Sequence, residues 1–245
     1  MRVLGALTLE MGVVFVIAAA LVAVVEYFTP PVRSKAWNEP LSHWVAALRS
    51  PSRSLRDSAL AAISYLEPTS LSMIAVLSPL LDDADRELRA RVASMLIVVA
   101  RASDDHASAV RHSMANALAS GHSAAARLEA VTVLGKTRPD SISLSALLSA
   151  TTDPDAQVRA AAVFALGDVG ILATPQEMQA LLRATRDPEP EVRAAAIEAL
   201  GRMWPHHERV LQVAGAALDD SASIVREQAI HTLAALKRMP LVPRQ

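Results

Sequence analysis

Cysteine is absent from the 245-residue sequence, and aromatic residues make up only 3% of it. The absence of thiols excludes disulfide bonds, thiol catalysis and metal sites built on thiolate ligands. Because few rings are available, a hydrophobic core has to be assembled from Ala, Leu, Val and Ile, which supply most of the 52% of residues that are hydrophobic. Such a composition is typical of closely packed small helices.

An excess of either charge is also missing, since 24 basic residues face 25 acidic ones. A surface that binds DNA or RNA needs a clear basic excess, so the sequence argues against a nucleic-acid partner. Arg outnumbers Lys by 21 to 3. Together with the abundance of Ala, this ratio indicates a GC-rich bacterial genome, because both residues have GC-rich codons.

Motifs for chemistry are sparse. The sequence has no glycine-rich phosphate loop, no serine-nucleophile motif and no paired catalytic carboxylates. The one histidine cluster, His206-His207-Glu208, fits the start of a helix better than a metal site, and so does Asp104-Asp105-His106. We therefore expect no catalytic residue, no cofactor and no metal, and a protein that is not an enzyme.

One long apolar stretch lies at the start of the sequence. Residues 3–25 contain a single charge, Glu10, and as a helix they would extend about 34 Å, enough to cross a bilayer. We interpret residues 1–28 as a retained single-pass transmembrane helix, with a signal peptide cleaved near Ala18–Ala20 as the alternative. Basic residues flank both ends, and their balance slightly favours a cytoplasmic C-terminal domain over a periplasmic one.

Three residues of this segment are candidates for contact with partner transmembrane helices. Glu10 is costly in an apolar span unless it faces a partner helix, a polar cavity or the interface. Ala19 and Ala23 form a strip of small residues on which another helix could pack. A linker is expected at 29–37.

One motif recurs beyond the linker. The segment DPDAQVRAAAVFALG at 153–167 returns as DPEPEVRAAAIEALG at 187–201, with ten of the fifteen residues identical. Four weaker copies bring the total to six, and the spacings between the repeated Arg residues are 33, 38, 32, 34 and 33. These are Arg56, Arg89, Arg127, Arg159, Arg193 and Arg226. A period this constant indicates a solenoid of stacked repeats.

Each copy is predicted to be a helix, because the residues three, four and seven after the Arg are small or aliphatic, as are Ala229, Ile230 and Leu233 in the last copy. Shorter amphipathic runs between the copies predict further helices at 40–48, 70–81, 105–119, 141–150, 175–185 and 206–218. Each repeat is therefore a helix pair. The solenoid is expected to span 38–237, followed by a Pro-containing tail at 238–245.

The repeats resemble the HEAT-like repeats of the family also found in phycobilisome lyases. The resemblance rests on Asp153-Pro154, Val158-Arg159, Ala161-Ala162 and Ala165-Leu166-Gly167, with their counterparts 34 residues later. It implies an all-α fold, an α-solenoid of about six HEAT-like helix pairs, here preceded by the transmembrane helix. Such a scaffold hosts many functions. Deoxyhypusine hydroxylases are HEAT-like enzymes that bind iron through several His-Glu pairs, whereas this sequence has only His207-Glu208.

The repeated Arg falls on the core side of its helix, where an unpaired guanidinium would cost roughly 3 to 5 kcal/mol. The residue six before the Arg is expected to supply a carboxylate and to cap the helix. It is an acid in four copies: Asp83, Asp153, Asp187 and Asp220. In HEAT-like families such Asp and Arg residues tend to form ladders between neighbouring repeats. We interpret them as structural residues rather than as catalytic ones.

The residues five after the Arg point away from the core and differ among the copies. They are Ala61, Ser94, Thr132, Phe164, Glu198 and His231. A variable position in an otherwise regular repeat is either unconstrained surface or a face specific to a partner. Since second helices of such pairs usually line the concave side, we take Thr132, Phe164, Glu198 and His231 as candidate partner contacts.

These observations favour a membrane-anchored scaffold that binds other proteins. We expect an accessory or assembly subunit of a larger membrane complex, respiratory or photosynthetic for instance, whose partners are integral membrane subunits. A membrane-tethered regulatory adaptor for a soluble partner is the main alternative. An enzyme of the bilin-lyase type is the less favoured one.

Overall fold

The computed structural model describes residues 41–66, 71–119, 122–169, 174–205 and 207–238. In these ranges the chain forms twelve α-helices, two short 3-10 segments and no β-strand. The helices are α1 (Leu41–Ala47), α2 (Arg53–Leu66), α3 (Ser72–Leu77), α4 (Arg86–Ala100), α5 (Asp104–Ala119), α6 (Ala124–Lys136), α7 (Ser141–Ala150), α8 (Ala156–Val169), α9 (Pro175–Ala184), α10 (Pro190–Met203), α11 (Glu208–Ala216) and α12 (Ser223–Arg238). The 3-10 segments, Ser78–Asp82 and Ala217–Asp219, extend α3 and α11.

Several expectations concern residues outside these ranges. They are the transmembrane segment with Glu10, Ala19 and Ala23, the linker at 29–37, and residues 239–245 of the tail. Within the ranges that are described, no helix has both the length and the apolar composition needed to cross a bilayer.

The chain divides into two units, and the boundary between Ile63 and Ser64 lies within α2. In the first unit, Trp44 of α1 and Leu48, directly after that helix, are both buried. Leu55, which directly precedes the first repeated Arg, is 41% exposed, whereas its counterparts Leu88 and Val158 are buried. Its counterpart Val225 packs against Ile197 of the preceding repeat, and no earlier Arg-bearing helix occurs among the described residues.

The second unit, from Ser64 onward, is built by stacking helix pairs. In each pair the Arg-bearing helix comes second, giving α4, α6, α8, α10 and α12 as second helices. These second helices pack directly on one another: α6 contacts α4 and α8, and α10 contacts α8 and α12. The predicted all-helical repeat solenoid is thereby confirmed.

The interface between repeats explains one further departure from expectation. Ile197 of α10 packs in a buried cluster with Val225 of α12 and Ala214 of α11, so the residue four after the Arg faces the next repeat. The equivalent residue of α12, Ile230, was expected in the core but is 55% exposed. Since α12 is the last helix described, no further repeat covers it in this part of the chain.

A glycine eight residues after the Arg allows successive second helices to approach closely. Gly135 faces Ala165 of the next repeat, and Gly167 faces Ala199 in the same way. A Cβ atom on Gly167 would lie 2.7 Å from Cβ of Ala199, closer than two carbon atoms can pack. In the repeated Ala-Leu-Gly, the Ala therefore packs against the Gly of the preceding repeat. The Gly, which has no side chain, faces the Ala of the next repeat.

We predict that Gly167→Ala destabilises the protein by about 1 to 3 kcal/mol, because the added methyl group overpacks the contact between α8 and α10. Urea denaturation followed by circular dichroism measures the change. Gly215→Ala is the matched control, since no atom lies within 4 Å of the Cβ it would add. That variant should be neutral or gain up to about 1 kcal/mol from helix propensity. Equal stability of the two variants would contradict the close-approach explanation.

Candidate functional site: a groove across the second helices

Ion pairs between neighbouring repeats hold the second helices in register. Arg127 donates from Nε and Nη2 to the two carboxylate oxygens of Asp153, each at 2.8 Å. Arg159 binds Asp187 in the same bidentate way, at 2.8 Å for both bonds. Arg193 completes the series by binding Asp220 at 2.9 and 2.7 Å. We call these three pairs the Arg-Asp ladder.

The Asp of each pair belongs to the repeat after that of its Arg, as the resemblance to HEAT-like families implied, and not to the same repeat, as the six-residue spacing alone suggested. The Asp153 carboxylate binds the Arg of the preceding repeat, while Arg159 of its own repeat donates from Nη1 to the Asp153 backbone carbonyl at 2.9 Å. The expected capping role is also wrong. Asp153 accepts from the backbone N–H of Asp155 at 2.9 Å in a turn, and Asp155 in turn caps α8 by accepting from the N–H of Gln157. The hydrogen bond from the turn fixes the Asp153 carboxylate in the position where it binds Arg127 of the preceding repeat.

In the ladder, the hydrogen bonds to the carboxylates together outweigh the effect of burial on the carboxyl pKa values. Burial raises the pKa of Asp153 and of Asp187, but the hydrogen bonds from Arg and from the turn N–H more than offset it, so both pKa values lie below the usual range. For Asp220 the hydrogen bond from Arg193 is the largest influence and lowers the pKa directly. The pKa of Arg159 is raised, chiefly by its hydrogen bond to Asp187. Every pair is therefore fully charged at neutral pH.

The Arg residues of the outer repeats make other contacts in the described part of the chain. Arg89 donates to the Asp83 carbonyl at 2.7 Å, but its Nε is buried without a partner, and the next repeat has Gly121 where an Asp would stand. A different contact joins these two repeats: Asp82 accepts hydrogen bonds from Ser123 and pairs with His122. Arg56 and Arg226 donate to the carbonyls of Ser50 and Asp220.

A groove runs across the exposed side of α6, α8 and α10. It encloses a cavity of about 430 Å³, and small or apolar residues such as Val131, Ala161, Ala165 and Ala195 form its floor. Phe164 of α8 and Thr132 of α6 also line it. We call this surface the Phe164 groove.

Phe164 is the focus of this groove. Its side chain is 43% exposed, although the sequence contains only three Phe. The guanidinium carbon of Arg202 lies 5.0 Å from the ring centroid, within the range of a cation–π interaction. Arg202 also donates to Asp168 at 2.6 Å and lies 3.9 Å from Glu198. An aromatic ring is thus held in place at the surface by a charged neighbour.

Charges of both signs form the rim. Lys136 lies 3.9 Å from Asp168, and Asp168 in turn binds Arg202. These three residues all stand nine positions after their repeated Arg. Comparing the residues nine after the Arg in successive copies shows from the sequence that the charge alternates in sign along the rim.

The remaining candidate residues lie in different places. Thr132 lines the groove and its hydroxyl donates to the Leu128 carbonyl at 3.0 Å. Glu198 is half-buried beside Arg202, whereas His231 is exposed on α12 and does not line the groove. Two of the four described candidates, Thr132 and Phe164, therefore line the groove, and Glu198 adjoins it through Arg202.

The histidine clusters have structural contacts. His207 caps α11 by accepting from the N–H of Arg209 at 3.2 Å, and Ser103 and His106 bond at 2.7 Å at the start of α5. His206 lies outside the described residues. In the described ranges no three or more His, Asp or Glu side chains come together as a metal site would require.

Comparison with known families agrees with this geometry. A family profile described as HEAT repeats matches residues 113–188 and 178–240, which together cover more than half of the chain. The chain belongs to the HEAT-repeat family. No curated protein sequence matches this HEAT-repeat protein.

Solved structures show the same fold at low sequence identity. The complex of CpcE and CpcF of phycocyanin lyase from Nostoc sp. PCC7120 is 19% identical, with a TM-score of 0.55 over 67% of this chain and 99% of that chain. Kap121p bound to Ste12p is 16% identical, with a TM-score of 0.59 over 83% of this chain and 23% of Kap121p. Kap95p, in a structure with RanGDP, is 15% identical, with a TM-score of 0.59 over 84% of this chain and 36% of that chain. The HEAT-repeat scaffold is a fold suited to protein–protein interaction.

We predict that Asp187→Asn destabilises this HEAT-repeat protein by roughly 3 kcal/mol, because it leaves the Arg159 guanidinium, 13% exposed, without the carboxylate that binds it. Chemical denaturation measures the loss. The control is Asp83→Asn, because Asp83 accepts the same turn hydrogen bond but forms no ion pair with a described residue. A loss as large for the control would show that the turn, not the ladder, provides the stability.

The ladder also predicts a loss of stability in acid. Because the pKa values of its carboxyl groups are lower in the folded state than in the unfolded state, these groups stabilise the fold at pH values above about 4, and that contribution disappears as the pH falls through the folded-state values. The free energy of unfolding, measured in urea from pH 7 to pH 2.5, should fall below about pH 4. The fall should be smaller in Asp153→Asn than in the wild type or in Asp105→Asn, which alters an exposed carboxylate. An identical fall in all three would refute the assignment.

Proposed function

We propose that this HEAT-repeat protein is a non-enzymatic, membrane-anchored scaffold that binds a partner protein in the Phe164 groove. The observation that carries the proposal is the exposed Phe164 ring over a floor of small apolar residues. In a chain with so few aromatic residues, an exposed ring in a groove needs a reason beyond packing.

The groove has the anatomy of a protein interface. Interfaces bury an apolar centre, often aromatic, inside a rim of polar and charged residues that remains partly hydrated. Phe164 and the alanines provide the centre, and Lys136, Asp168 and Arg202 provide the rim. A partner with an apolar side chain between charges of both signs matches this arrangement. The neighbouring structures support it, since the Kap121p structure holds Ste12p and the CpcE and CpcF subunits form a complex.

The membrane part of the proposal rests on the apolar length of residues 3–28. As a single-pass anchor, this segment holds the repeats near the bilayer, with the repeat domain in the cytoplasm. Glu10, Ala19 and Ala23 are the residues we assign to contact with partner helices. The protein is then an accessory or assembly subunit of a larger membrane complex.

We predict that the full chain sediments with membranes and, after extraction in a mild detergent, elutes from a sizing column together with integral membrane proteins that mass spectrometry identifies. Phe164→Ala should weaken the association about 10- to 100-fold, the loss typical of an interface hot spot. Val98→Ala, which trims another exposed apolar side chain outside the groove, should leave it unchanged. A chain lacking residues 1–28 should appear in the soluble fraction.

Other results would overturn parts of the proposal. Recovery of the full chain as a lone monomer rejects a stable subunit. Exclusive recovery with soluble proteins favours the regulatory adaptor. If Phe164→Ala and the wild type recover the same amounts of partner proteins, the Phe164 groove is not part of the interface.

A further inference from the structure

A second surface lies on the first helices rather than the second ones. A cleft of about 600 Å³ separates α9 from α11, whose backbones do not pack closely on each other. Arg183 in the last turn of α9 and Arg186 just after that helix line it, and so does Arg209 at the start of α11. Leu182 and Val213 add apolar surface, and no acidic residue lines the cleft. We call this surface the arginine cleft.

The three guanidinium groups of the arginine cleft have no counter-charge in the described part of the chain. None forms an ion pair or a side-chain hydrogen bond there, although Arg127, Arg159 and Arg193 of the ladder all bind carboxylates. Each guanidinium can donate five hydrogen bonds in a planar fork that matches a carboxylate. The cleft therefore concentrates positive charge and hydrogen-bond donors that the fold leaves available.

The repeat itself does not require these arginines. In the preceding repeat the positions of Arg183 and Arg186 are occupied by Ser149 and Thr152, 34 residues earlier. The comparable cavity between α5 and α7, of about 490 Å³, is lined by Ser145 and Ser149 and by no basic residue. The arginines are thus specific to one cleft, as Phe164 is to one groove.

We propose that the arginine cleft binds an acidic segment of a protein partner, in which carboxylates alternate with apolar side chains. The carboxylates would pair with the three arginines, and an apolar side chain would rest on Leu182 and Val213. A nucleic acid is the poorer candidate, since the chain has a net charge of −1 and a backbone of phosphates needs a longer basic surface. The inference is independent of the Phe164 groove because it concerns different helices.

The test uses the full chain in detergent micelles and a fluorescein-labelled peptide of alternating Glu, Gly and Leu, with binding followed by fluorescence anisotropy. The peptide should bind in the micromolar range, and the affinity should fall as salt is raised. Arg183→Gln/Arg209→Gln should weaken it at least 10-fold, while Arg101→Gln, an exposed arginine outside the cleft, should not. Phe164→Ala should leave peptide binding intact, which separates this proposal from the one above.

A charge-reversal variant tests whether a loss of peptide binding is caused by misfolding, because a misfolded protein would not gain affinity for a basic peptide. Arg183→Glu/Arg209→Glu should lose the acidic peptide and acquire affinity for the same peptide with Lys in place of Glu. Unchanged affinity of the Gln variant, or no binding at 1 mM peptide, would overturn the proposal. So would binding confined to inorganic pyrophosphate or to phosphatidylglycerol vesicles, because it would assign the cleft to phosphate groups instead.

Discussion

The bidentate pair between an Arg of one repeat and an Asp of the next is the interaction on which the remaining structure depends. Each Asp is fixed by the N–H of its own turn, and each Arg also reaches the carbonyl of its own turn. One pair therefore ties together the starts of two second helices. The Arg guanidinium on the core side of each second helix is stable there because nearly all of its hydrogen bonds are satisfied. Once the turns are fixed, the faces of α6, α8 and α10 are fixed as well.

The Phe164 groove follows from the same repeat. The Gly of one second helix and the small residue facing it bring the two backbones close together. The surface between these helices is therefore shallow. Alanines at these positions form the floor of the groove, and the positions that vary between copies form its centre and rim. The scaffold and the site thus arise from different columns of one motif: constant columns set the spacing, and variable columns set the chemistry.

Much of this was predictable from the sequence, because helical periodicity and a repeat of about 34 residues are local signals. The helix expected at 141–150 is Ser141–Ala150, and the one expected at 105–119 is Asp104–Ala119. The partner of each Asp was not predictable from spacing alone, since its own Arg is close in sequence while the Arg it binds is close only in space. Exposure at the end of the stack, as at Ile230, depends on which helices are neighbours, and a single copy of the motif does not contain that information.

The ladder has a consequence for how the chain reaches its fold. Its pairs join residues only 26 to 28 positions apart, so each one closes a short loop. Contacts of this range keep the contact order low, and proteins of low contact order fold rapidly. A repeat can fold on its neighbour as soon as both have left the ribosome, without waiting for the end of the chain. The same locality lets evolution lengthen or shorten such a protein by whole repeats, because each new Asp needs only the Arg of the repeat before it.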